Sequence, residues 1–185
     1  MGRIQYSQIY GIELISHKII QDNRGSLRKF FDAAEGIGPS TSWSIDSLIH
    51  TSNKLAGTVR GLHFQTGIHQ ENKLITCLSG EIFDVMVDLR PESPSCGSWT
   101  AITLNESSPF SIFVPSGVAH GYQTQVPSSW LSYAIENSYS PNNSYSLNSL
   151  DADLDIDWPL SPVNLSPKDS TGISLRDAIA LMRDN

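Results

Sequence analysis

Lys73-Leu74-Ile75-Thr76-Cys77-Leu78-Ser79-Gly80-Glu81-Ile82-Phe83-Asp84-Val85-Met86-Val87-Asp88-Leu89 decides the fold class. It reads as two strands, Lys73 to Leu78 and Glu81 to Leu89, and Ser79-Gly80 has the length of a two-residue hairpin connection with a glycine available for positive φ. The same texture continues outward. Upstream, Thr58 to Gln65 and Trp43 to Ile49 read as strands separated by a loop over Asn53 to Gly57. Before them, Leu27 to Phe31 is an extended run, and Ile12 to Ile20 is a first strand closed by the turn-forming Asp22-Asn23-Arg24-Gly25. Downstream come Trp99 to Leu104, Phe110 to Val114, Gly121 to Thr124 and Trp130 to Ile135, with turn signals between them. Short strands spaced by about a dozen residues predict an all-β sandwich or barrel. Pro141 to Leu150, rich in Asn and Ser, reads as a surface loop. Leu175, Ala178, Ile179 and Met182 recur at helical spacing, which predicts a short C-terminal helix over Ser174 to Arg183.

A chain of 185 residues suits a single domain over 1–185, with a core large enough to need neither metal nor disulfide. A hydrophobic content of 39%, charged content of 17% and the lack of any apolar run near 18 residues argue against a membrane span or a disordered chain. The start, Met1-Gly2-Arg3-Ile4-Gln5-Tyr6, has no apolar signal core, so the expected location is cytoplasmic. Cys77 and Cys96 make no disulfide framework and read as reduced, buried thiols. A net charge of -7 with 12 Lys and Arg in all speaks against a nucleic-acid surface, so an anionic ligand would need a local cationic pocket.

Arg60-Gly61-Leu62-His63-Phe64-Gln65 puts a permanent cation and a titratable imidazole three residues apart in a strand. Period-two alternation sends Arg60 and His63 to opposite faces unless a bulge at Gly61 brings them together. Of the five histidines, His17, His50, His63, His69 and His120, the last follows Pro115-Ser116-Gly117-Val118-Ala119. That P-x-G-x-x-H arrangement resembles the second signature motif of cupin jelly rolls. The first cupin motif carries H-x-H among its metal ligands, whereas here Gln65 stands in the place of the second His. An amide oxygen is a weak substitute for imidazole or carboxylate, which disfavours a metal and leaves proton transfer as the use for the imidazoles.

Further motifs extend the likeness. Arg60-Gly-Leu-His63-Phe-Gln65, Lys73-Leu, Gly80-Glu-Ile-Phe-Asp84-Val-Met-Val-Asp88-Leu-Arg90, Ser93 to Gly97 leading to Trp99, Pro115-x-Gly117-x-Ala119-His120-Gly121, Asp157-Trp158-Pro159 and Leu165-Ser166-x-Lys168-Asp169 occur in one order along nearly the whole chain. Together they resemble the dTDP-4-dehydrorhamnose 3,5-epimerase family. The resemblance implies a cupin-type jelly roll that forms a homodimer, each active site receiving residues from the partner chain. The implied reaction is cofactor-free epimerisation at C3, C5 or both of a nucleotide-diphosphate-linked 4-keto-6-deoxyhexose. A proton made acidic by the adjacent ketone is removed, the enolate is stabilised, and a proton returns to the opposite face.

By resemblance, His63 is the base and Asp169 its orienting carboxylate, Tyr133 the acid, Lys73 the cation at the enolate oxygen, and His120 its neighbour. Taken alone, Tyr133 reads equally as an interior strand aromatic, Lys73 as a solvated strand end and Asp169 as a surface charge. Arg24 and Arg60 are implied to pair with the diphosphate and Tyr139 to stack on the base. The chain departs from the family on the nucleotide side. Ser26 and Leu27 stand for aromatics, Lys29 for an acid facing the base, and Leu48 and His50 for a polar Gln and Asn. A lysine has three donors and no acceptor, so Lys29 suits a base that presents an acceptor, as in a CDP- or GDP-linked substrate. Single-site epimerisation, a non-catalytic cupin that binds a sugar nucleotide and a metal-dependent cupin oxygenase are the competing readings. The set His63, Asp169, Tyr133 and Lys73 speaks against the non-catalytic one and Gln65 against the oxygenase.

Overall fold

The structure, a computed structural model, describes residues 3–5 and 9–184; Met1, Gly2 and Tyr6 of the opening segment lie outside the described residues. In chain order the strands are β1 (Arg3–Gln5), β2 (Glu13–Ser16), β3 (Lys18–Asp22), β4 (Gly25–Lys29), β5 (Ser47–Asn53), β6 (Val59–Gln65), β7 (Lys73–Ser79), β8 (Glu81–Asp88), β9 (Trp99–Asn105), β10 (Phe110–Val114), β11 (Val118–Thr124), β12 (Ser129–Ile135) and β13 (Ser144–Ser146). Two helices follow, α1 (Pro167–Ser170) and α2 (Leu175–Arg183). Two antiparallel sheets face each other, one ordered β1-β2-β10-β7-β12-β5 and the other β13-β6-β11-β8-β9, while β3 and β4 form a separate ribbon. This is the jelly-roll arrangement expected of the sequence.

Three apolar layers hold it together. Between the sheets, Ile75, Ile112 and Leu131 pack against Ile82, Met86 and Tyr122. Leu62, Phe64, Val85 and Val87 point from the second sheet to its outer face, where Leu175, Ala178 and Met182 of α2 cover them. The helix is capped by Ser174, whose hydroxyl accepts from the Asp177 N–H. On the outer face of the first sheet, Phe31 and Trp43 close over Leu74, Phe113 and Ala134. Among the described residues no helix is long and apolar enough to cross a membrane.

The structure corrects four expectations. The strands of the Lys73–Leu89 stretch are not hairpin partners, since β7 lies in the first sheet and β8 in the second. At Gly80, φ +78°, the chain crosses between layers, and a Cβ there would come within 2.9 Å of Ser129 Cα. Glycine is demanded for the crossing, as it would have been for a hairpin. Ile12 to Ile20 is not one strand: at His17 the main chain leaves the ladder, its N–H donating to the Pro109 carbonyl, and β3 departs with β4 as the ribbon. The strand expected over Trp43 to Ile49 begins at Ser47, because Trp43 is engaged edge-on with Phe31 and Phe113, each at 5.8 Å between ring centroids. Pro141 to Leu150 is not a free surface loop, since β13 pairs with β6 and Leu147 is fully buried with main-chain bonds to Leu62.

Candidate active site

The site begins with an extra residue in β6. His120 of β11 lies opposite His63, and Tyr122 opposite Arg60, so three steps along β6 match two along β11. The bulge falls at Gly61, φ +102°, where an added Cβ would sit 2.7 Å from the His120 carbonyl oxygen and 2.9 Å from Gly121 Cα. Arg60 and His63 therefore come to the same side, both lining a pocket of about 750 Å³. That is a volume suited to a ligand of nucleotide-sugar size. Lys73, His120, Tyr133, Tyr139 and Asp169 line it too.

Asp169 comes from a distant piece of chain on the short helix α1. Ser166 caps the helix by accepting from the Asp169 N–H, which fixes the carboxylate against β6. Asp169 is buried, and its Oδ1 accepts from His63 Nε2 at 2.7 Å and from the Ser146 hydroxyl at 2.9 Å. Burial by itself would raise its pKa, but the bonds from His63, Ser146 and Ser166 outweigh it and bring the carboxyl down from 3.8 to about 2. The carboxylate is thus ionised and accepts only, so Nε2 of His63 carries the hydrogen. In the neutral ring Nδ1 then keeps its lone pair, which makes it a competent proton acceptor.

A second histidine and carboxylate pair stands beside the first. His120 Nε2 is 2.7 Å from Asp84 Oδ1, and both side chains are buried. The Tyr133 ring meets His120 edge-on at 5.9 Å between centroids. Burial, reinforced by Tyr122 and Asp84, pushes the Tyr133 phenol well above its ordinary pKa, so it stays protonated and able to donate. Lys73 Nζ pairs with Glu71 Oε1 at 2.9 Å. Arg60 is exposed at the mouth, with Nε donating to Asn53 Oδ1 at 2.8 Å. Tyr139 is exposed at the rim.

Three expected binding residues are not brought here. Arg24 lies at the tip of the β3–β4 ribbon, largely exposed and paired with Asp22. Lys29 on the same ribbon is held by Asp32 at 2.8 Å and Glu35 at 2.6 Å. Neither lines the pocket of its own chain. His50 and Leu48 are exposed on β5, whereas Ser47, Ile49 and Thr51 face the pocket. Period-two alternation puts Leu48 and His50 on the opposite face of β5 from these three, away from the pocket of their own chain. Sequence reasoning missed Asp84, Glu71, Asn53 and Ser146. Asp84 had a signal, since it sits on the inward parity of β8 between the core residues Ile82 and Met86. Gln65 is occupied by its own contacts, donating to the His69 carbonyl and Glu71 and accepting from the Ser140 N–H. Among the described residues no three His, Cys, Asp or Glu side chains converge as metal ligands would. Cys77 is buried, which pushes its thiol up to about 11 and makes it inert as a nucleophile.

The family model of dTDP-4-dehydrorhamnose 3,5-epimerase matches residues 6–177. The dTDP-4-dehydrorhamnose 3,5-epimerase of Salmonella typhimurium is 34% identical over 170 residues, 90% of this chain and 91% of that protein. The dTDP-4-dehydrorhamnose 3-epimerase of Streptomyces niveus is 31% identical over 179 residues, 95% of this chain and 85% of that one. Among solved structures, the dTDP-6-deoxy-D-glucose-3,5-epimerase of Legionella pneumophila in complex with dTDP-4-keto-L-rhamnose superposes with a TM-score of 0.86 at 33% identity, over 95% of this chain and 93% of that one.

Proposed function

This chain belongs to the dTDP-4-dehydrorhamnose 3,5-epimerase family of nucleotide-sugar isomerases, and from that membership we propose that it epimerises C3 and C5 of a dTDP-linked 4-keto-6-deoxyhexose without a cofactor. His63 Nδ1 takes the proton beside the ketone, and Asp169 stabilises the imidazolium that forms. Lys73 meets the enolate oxygen, with His120 beside it. Tyr133 returns a proton from the other face. Arg60 binds the diphosphate and Tyr139 stacks on the base.

The observation that carries the reading is the placement of an ionised Asp169 against His63 Nε2, with a neutral Tyr133 and the Lys73 ammonium lining the same pocket. A binding protein needs no acceptor and donor so tuned. The whole chain acts as one domain in this reading and works as a homodimer. Arg24 and Lys29, absent from their own pocket, project on the ribbon toward the partner's. Lys29 is already neutralised by Asp32 and Glu35, so it does not impose a base with a free acceptor, and thymine is retained.

Purified protein is expected to incorporate two deuterons from heavy water into dTDP-4-keto-6-deoxyglucose, with CDP- and GDP-linked sugars reacting much more slowly. No exchange into any of the three would refute the reading. One deuteron would favour single-site epimerisation, the alternative that the 3-epimerase of Streptomyces niveus keeps in view.

A further inference from the structure

Lys73 enters the pocket from the first residue of β7 with a nearly buried side chain, 6% exposed, and a buried ammonium needs its charge and its donors satisfied. It has three N–H donors. Its Nζ forms an ion pair with Glu71 Oε1 at 2.9 Å, and one N–H makes a long contact of 3.5 Å with the His63 carbonyl. Lys73 lines the pocket, and its ammonium keeps donor capacity for a ligand there. Glu71 is itself only 11% exposed and is held from the other side, its Oε2 accepting from Gln65 Nε2 at 2.8 Å. Gln65 is 3% exposed and its Oε1 accepts from the Ser140 N–H at 2.7 Å, next to Tyr139 at the rim.

We propose that Glu71 is a positioning residue, braced by Gln65, that fixes Lys73 Nζ so that a free N–H is aimed at the keto oxygen of the substrate; this rests on the epimerase reading above. An oxyanion donor is effective when its direction is set before charge develops, because nothing then has to reorganise during the reaction. Without Glu71 the ammonium would turn toward other acceptors or toward water at the pocket. The same chain of contacts ties the lysine to the main chain beside Tyr139. Gln65, at the position where a cupin metal site would have a histidine, serves here as a strut between the two ends of the site.

The test compares Glu71→Ala and Glu71→Gln in the deuterium-exchange assay, with a thermal melt on each protein. Glu71→Ala is expected to lower kcat on the order of 100-fold, the scale of removing one oxyanion donor, with KM changed less than about threefold. Glu71→Gln can still accept from Lys73 and is expected to recover kcat to within about tenfold of the parent. A kcat within about twofold of the parent in Glu71→Ala overturns the proposal. So does a loss that follows the unfolded fraction in the melt, or one that appears in KM alone. If Glu71→Ala does not fold, Gln65→Met, which frees Glu71 Oε2 while leaving the ion pair, carries the test. It is expected to lower kcat by more than about threefold, and an unchanged kcat overturns the brace. Absence of exchange in the parent protein would instead sink the epimerase reading itself.

Discussion

Replacing Asp169 by asparagine keeps the shape of the side chain and removes the charge that His63 depends on. The Asp169 carboxyl lies at about 2 against an ordinary 3.8, held there by His63, Ser146 and Ser166 despite burial. At about 1.4 kcal/mol per unit, and discounted for solvent reaching the pocket, the ionised form is favoured by about 1 to 2 kcal/mol. His63 Nε2 is bonded to this carboxylate at 2.7 Å, so in the variant the imidazolium formed during proton removal loses its anionic partner. The expected result is a fall in kcat of about 10- to 30-fold at nearly constant KM, read from initial rates of deuterium exchange. Stability offers a second reading. Because the folded pKa is depressed, the contribution of Asp169 is present above the unfolded value of 3.8 and is lost as pH falls through about 2. Urea melts should therefore show parent and Asp169→Asn converging between about pH 4 and about pH 2. A kcat within about twofold of the parent, or a stability gap that ignores pH over that window, would refute the reasoning.

Tyr133→Phe removes the donor while leaving the ring against His120, and should lower turnover by about 100-fold or more with KM preserved; a parent-like rate would reassign the acid. Because burial holds the phenol well above its ordinary value, the parent should show no loss of activity from Tyr133 ionisation up to about pH 9, which a pH profile of kcat checks. His17 is buried, with Nε2 on Ser111 and Nδ1 without a partner, and burial, helped by the Arg28 charge, lowers it from 6.5 to about 4. The fold prefers the neutral ring, so its contribution is complete above 6.5 and disappears as pH falls through about 4. After discount for screening this amounts to about 2 kcal/mol, and His17→Gln should flatten the stability profile between those limits in chemical melts.

The strands were legible because alternation and turn residues are local, and most of them stand where the sequence placed them. What alternation cannot report is the partner. Ser79-Gly80 carries the same chemistry whether the chain folds back on itself or steps to the facing sheet, and only Ser129 packed at Gly80 distinguishes the cases. The His63–Asp169 pair joins residues 106 apart in the chain, so no spacing rule could have found it, and it was legible through family likeness alone. The same likeness drew attention to Leu48 and His50, which alternation along β5 turns away from the pocket of their own chain while Ile49 and Thr51 line it. Arg24 and Lys29 show another limit. Where the β3–β4 ribbon points depends on the break at His17, which buries a polar side chain in a run that otherwise reads as an uninterrupted strand.

The extra residue at Gly61 acts on parity. Upstream of it the pocket is served by the even position Arg60, downstream by the odd position His63, and the odd number of steps between them is what lets both serve. The same residues threaded through a regular ladder without the bulge would regain perfect alternation and could offer the cation or the imidazole to a ligand, but never the two at once. The strand's one irregularity in counting is what makes a single ligand readable by both.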